Sequence, residues 1–139
     1  MATDKRIDSP SAISFIETLQ GIITRMATNS ANCKTWCVTL VAAILALTDI
    51  PMSDKLWLCI GIIILMYLLD CYYLGLERHF IQVQNDYVKK IDDPDNMPFV
   101  FPEHDICDQL VDLLGGIVSL STTPFYFIIG IMIYLFINH

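Results

Sequence analysis

The sequence predicts an all-α membrane protein, homo-oligomeric, with three transmembrane helices and a small helical cytoplasmic region, and three observations carry that prediction. First, the chain is 55% hydrophobic and 17% charged over 139 residues, too apolar for an ordinary soluble domain of that size. Most of its apolar surface must therefore meet lipid or other subunits. Second, Lys55 to Ile91 opens as LWLCIGIIILMYLL and continues as the amphipathic LGLERHFIQVQNDYVKKI, with no strong helix breaker. This predicts one helix roughly 55 Å long, half in lipid and half in water, against a bilayer core of ~30 Å. Third, no Asp, Glu, Lys or Arg follows Asp112, and IVSLSTTPFYFIIGIMIYLFI is the clearest transmembrane signal in the chain.

In chain order, residues 1–10 are a polar tail, and the absence of a charged-then-apolar-then-small pattern predicts that the N-terminus is retained. Residues 11–32 place Phe15, Ile16, Leu19, Ile22, Ile23 and Met26 at the three-and-four spacing of an amphipathic helix, with Ser11 as the expected cap. Residues 33–76 form a transmembrane hairpin whose turn comes from Asp49, Pro51, Ser53 and Asp54. The uncharged stretch between Lys34 and Asp49 is short for a span, and Lys34 must snorkel if flanking residues are to complete it. Residues 77–116 form a cytoplasmic helical segment. From Leu76 at its edge, Phe80, Val83, Tyr87 and Ile91 continue a coiled-coil-type seam, a proline-bearing loop follows, and a short helix carries Ile106, Leu110, Leu113 and Leu114. Residues 117–137 are the third span, where Ser119, Ser121, Thr122 and Thr123 precede Pro124. That cluster has two readings, a tolerated proline kink or a polar stripe along a water path.

The hairpin's symmetry makes a sharper prediction. About a turn centred on Met52, Lys34 and Asp70 are equidistant, and so are Asp49 and Lys55. Equal distance along two antiparallel helices means equal depth. An intramembrane ion pair between Lys34 and Asp70 would relieve the cost of a lone buried carboxylate. The competing reading leaves Asp70 solvated in the headgroup layer beside Tyr72 and Tyr73.

Lys5, Arg6, Arg25 and Lys34 precede the first span, Lys55 alone lies in the turn, Arg78, Lys89 and Lys90 lie between spans two and three, and no base follows the third. The positive-inside rule then puts the N-terminus and residues 77–116 in the cytoplasm and the C-terminus outside. A net charge of −7 argues against a general polyanion binder. Arg78, Lys89 and Lys90, interleaved with Phe80 and Tyr87, nonetheless supply the cations and stacking surfaces with which single-stranded nucleic acid is held. Their other reading is as topology determinants beside core aromatics. Small or hydroxyl-bearing faces, Thr39, Ala43 and Ala46 or Ser119, Thr122 and Thr123, are the pore candidates of an oligomer.

The sequence lacks a phosphate-cradling glycine loop, HExxH, CxxC and a nucleophile elbow, and its histidines are far apart. No enzyme, cofactor or metal is expected. Cys33, Cys37, Cys59, Cys71 and Cys107 lie mostly in apolar runs, where a thiol behaves as a small hydrophobe.

The stretch ITRMATNSANCKTWCVTLVAAILAL, an amphipathic helix running through Lys-Thr-Trp into a small-residue span, resembles the N-terminal part of short bacterial membrane effectors of antiphage defence. The plan of residues 14–91 is similar to that of the channel subunit of Hailong-type systems. The resemblance implies an oligomeric channel of the bacterial inner membrane that depolarises it. It also implies gating through the cytoplasmic helices by a cyclic or linear oligonucleotide, or by short single-stranded DNA, with a signal-producing enzyme encoded alongside. A non-conducting membrane adaptor that docks a cytoplasmic partner protein is the alternative from another class.

Overall fold

A computed structural model describes residues 9–47, 49–91 and 122–138 as three helices: α1 (Pro10–Ala46), α2 (Met52–Lys90) and α3 (Thr123–Asn138). The residue 1–8 tail, the loop bearing Phe99 to Phe101, the short helix with Ile106 to Leu114, Cys107 and Ser119 lie outside the described residues.

Helix α1 joins two segments that the sequence reading kept apart. Nothing from Ile22 to Ile50 is glycine or proline, and a few Asn and Ser residues cost only a few tenths of a kcal/mol each in a helix. The polar stretch Ala27–Asn32 therefore stays helical beside α2. Its hydroxyls fold back onto the helix: Thr28 donates to the Thr24 carbonyl at 2.8 Å, and Thr39 to that of Thr35 at 2.9 Å. The N-cap is Ser9, not Ser11. Ser9 Oγ accepts the Ala12 N–H at 3.3 Å, and Pro10 takes the first helical position, where a missing N–H costs nothing. At the other end Leu47 turns extended (φ −69°, ψ 127°). Pro51 restarts the chain, its carbonyl accepting from Asp54 and Lys55 N–H at 3.0 and 3.1 Å.

α1 and α2 then run side by side as an antiparallel hairpin. Their lengths, 37 and 39 residues, correspond to about 55 Å each at the α-helical rise. α3, with 16 residues, packs chiefly against α2. Tyr126 near its start lies at Met66 and Tyr67, while Ile133 joins the cluster around Cys59, so α3 runs antiparallel to α2. Pro124 falls in the first turn of α3, which begins at Thr123. A proline is tolerated there, because the N–H that it lacks is one that a first turn leaves unbonded. The segment before Thr122, whose carbonyl at Leu120 enters the kink reading, lies outside the described residues.

Two clusters hold the hairpin. Near the turn, Cys37, Val41, Cys59, Tyr126 and Ile133 are buried together. Toward the open ends, Ala12, Tyr87 and Ile91 are buried with Phe15 and Ile16 beside them. The seam predicted on α2 thus finds its partner in α1 of the same chain. Among the described residues α2 alone is both long and apolar enough to cross a membrane; α3 is apolar but shorter.

Candidate functional site

Between the two clusters lies a buried polar site. Asp70 on α2 is 0% exposed. Its Oδ2 meets the Lys34 ammonium at 2.6 Å, and its Oδ1 accepts the hydroxyl of Ser30. Lys34 Nζ also donates to Ser30 Oγ at 3.2 Å, closing a triangle. Ser30 and Lys34 are one turn apart on α1, so both face the same point on α2. From α3, Tyr126 donates to the Met66 carbonyl at 3.2 Å and stacks edge-on against Tyr67, ring centres 5.4 Å apart. Its hydroxyl lies within electrostatic reach of Asp70. The cluster is neutral as a whole, and each carboxylate oxygen has a cationic or hydroxyl neighbour, the arrangement that a buried charge requires.

The structure thus brings Lys34 and Asp70 together. Asp49 and Lys55, the other symmetric pair, form no ion pair among the described residues; Asp49 is exposed, whereas Lys55 is 8% exposed. The residues that sequence reasoning missed are Ser30 and Tyr126. The first left a signal, its four-residue spacing from Lys34. The second left none, because its position depends on how α3 docks.

The ligand candidates do not converge. Arg78, Lys89 and Lys90 are exposed on the lower half of α2, with Arg78 and Lys89 three helical turns apart, about 16 Å. Lys89 lies 3.7 Å from Asp86 in an open pair. Phe80 is half-buried against His79, ring centres 5.6 Å apart. Tyr87 is not a stacking platform for a ligand: it is 7% exposed and lies against Phe15, ring centres 4.6 Å apart. The seam spacing turned it inward, and burial raises its phenol above the ordinary value.

The pore candidates divide in the same way. Thr39, Ala43 and Ala46 are exposed along the outer face of α1. Thr123 is exposed, but Thr122 is fully buried, so those two do not share a face, and Ser119 lies outside the described residues. Cys33, Cys37, Cys59 and Cys71 are buried free thiols, and among the described residues no group of His, Cys, Asp and Glu could hold a metal.

The surface around this site is inverted relative to a water-soluble bundle. Trp57 is 73% exposed, and Leu58, Ile64, Leu65, Phe127, Met132 and Leu135 are exposed with it. The buried residues at the same levels include small or polar ones, Cys37, Cys59, Asp70 and Cys71, beside Val41, Tyr126 and Ile133. No known protein family, characterised protein or solved structure matches the chain.

Proposed function

We propose that the chain is a three-span channel-forming effector of antiphage defence in the bacterial inner membrane, homo-oligomeric and gated through its cytoplasmic helices by a nucleotide or short single-stranded DNA. The observation that carries the membrane part is the inverted surface. Large apolar side chains cover the outside of α2 and α3 while a carboxylate and thiols fill the inside, which water disfavours and hydrocarbon favours. Because Asp70 is buried, the outward surface of α2 is free of charge from Leu56 to Leu76. That length is about 30 Å, the thickness of a bilayer core. In this reading the Lys34–Asp70 pair lies inside the membrane, on the cytoplasmic side of its middle, with the turn and C-terminus outside.

The oligomer rests on a contrast between faces. Beside exposed Trp36 and Val38, α1 carries a stripe of small exposed residues, Thr35, Thr39, Ala42, Ala43 and Ala46, whereas the outer faces of α2 and α3 expose mostly bulky residues. Small residues permit close helix approach within a membrane, and bulky ones suit lipid. α1 therefore faces other copies or the axis they surround, with α2 and α3 outside. On the water side Arg78, Lys89 and Lys90 are the exposed cations that an anionic ligand would meet, and Phe80 is the nearby ring. The defence role and the signal-producing partner enzyme rest on the resemblance alone, by sequence over residues 23–47 and by plan over residues 14–91.

One observation favours the adaptor reading. Ile13, Ile81 and Val88 are exposed on the half that stands in water, where a partner protein could cover them. Ion flux from purified protein in liposomes separates the two. Flux that responds to oligonucleotide is expected; its absence with and without cyclic dinucleotides or short single-stranded DNA overturns the channel.

A further inference from the structure

The hairpin pairs one helix whose length and composition suffice to cross a membrane with one whose do not. α2 is long and apolar enough; α1 is not. Lys34, Asn29, Ser30 and Asn32 interrupt the apolar residues of α1, and its helix ends at Ala46. Yet the polar groups that hold α1 back are those that meet α2. Lys34 and Ser30 both reach Asp70, which has no exposure to anything but its partners. Each charge alone opposes insertion of its helix, and the pair removes both penalties at once.

We propose that the Ser30–Lys34–Asp70 cluster is a topological device: α1 enters the membrane only as a hairpin with α2, carried in by this cluster. The proposal rests on the three-span reading above. Asp70 is the acceptor that receives α1, Lys34 the charge that must be neutralised, and Ser30 the positioning residue that holds the carboxylate so that Oδ2 faces the ammonium. Without the pair, α2 still inserts and α1 stays in the headgroup layer, where its Phe15, Ile16, Leu19 and Ile22 stripe already suits it. The turn between the helices then no longer reaches the far side.

The test uses the full chain in intact cells. Ser53 is exposed in the first turn of α2, next to the connection between the helices, and Ser53→Cys is labelled with a membrane-impermeant maleimide before and after permeabilisation, with the unsubstituted chain as the background control. External labelling is expected for the Ser53→Cys chain, and to fall roughly tenfold when Lys34→Glu or Asp70→Leu is added. It should return with the swap Lys34→Glu/Asp70→Lys. It should also be retained in Lys34→Leu/Asp70→Leu, which leaves no unpaired charge and guards against simple misfolding. Undiminished labelling of the single variants, or failure of both double variants to restore it, overturns the proposal. If the Ser53→Cys chain itself is labelled only after permeabilisation, the three-span reading fails and the proposal fails with it.

Discussion

The two halves of the hairpin are built on opposite rules. Toward the open ends, aromatic and aliphatic side chains, Phe15, Ile16, Tyr87 and Ile91, meet between the helices, while Arg78, Asp86, Lys89 and Lys90 face outward. Toward the turn, Cys37, Val41 and Cys59 lie between the helices, while Trp57, Leu58 and Leu65 face outward. The same pair of helices thus changes its solvent preference partway along. Under the proposed membrane reading, the lower half would hold together because water expels its rings, and the upper half because the thiols and small residues between the helices let backbones approach. The Lys34–Asp70–Ser30 cluster sits at the change.

Four changes test that contrast, beginning with the strongest. Phe15→Ala or Tyr87→Ala removes a ring from the water-facing half and should cost about 3 kcal/mol. Limited proteolysis should cut the ends of α1 and α2 first, leaving the segment near the turn protected. Uniform loss of protection along both helices would show that the halves are not separable. Cys59→Phe instead overpacks the half near the turn, with an expected cost of about 1–3 kcal/mol. It should loosen α3, read as faster cleavage at an inserted protease site after Asn138, while the Phe15–Tyr87 contact persists.

Alkaline titration divides the halves chemically. Burial raises the phenol of Tyr87 above its ordinary 10.0. The folded state therefore favours the neutral form, and the contribution of Tyr87 is fully present below pH 10 and is lost as pH climbs through the raised folded value. Helix content measured by circular dichroism should begin to fall above about pH 10 in the parent chain, and later in Tyr87→Phe. An identical alkaline limb in both would place the sensitivity elsewhere. The smallest effects belong to the outer faces. Lys89→Gln breaks only an open pair with Asp86 and should change stability by less than about 0.5 kcal/mol by thermal melting. It should still weaken any salt-sensitive oligonucleotide binding, which keeps the ligand question apart from the folding one.

Much of the architecture was legible before any coordinates. Antiparallel helices rise equally per residue, so the distances of Lys34 and Asp70 from Met52 are enough to place them at one depth, and the structure sets them 2.6 Å apart. The seam from Leu76 to Ile91 likewise announced a partner helix. What spacing could not supply was how far each helix turns about its own axis and how the third helix docks. Tyr87 was placed among ligand residues because its chemistry suits stacking, yet its seam position turns it onto Phe15. The apolar run extends on both sides of Pro124, and the helix described there begins at Thr123.

The amino-acid sequence by itself determined the long second helix, the hairpin and the matched depth of Lys34 and Asp70, because periodicity and rise are local properties of the chain. Only the tertiary structure decided that Ser30 completes that pair, that Tyr126 approaches it from a third helix and that thiols fill the interior near the turn. Those facts depend on azimuth and on contacts between distant segments, which packing sets and spacing along one helix does not encode.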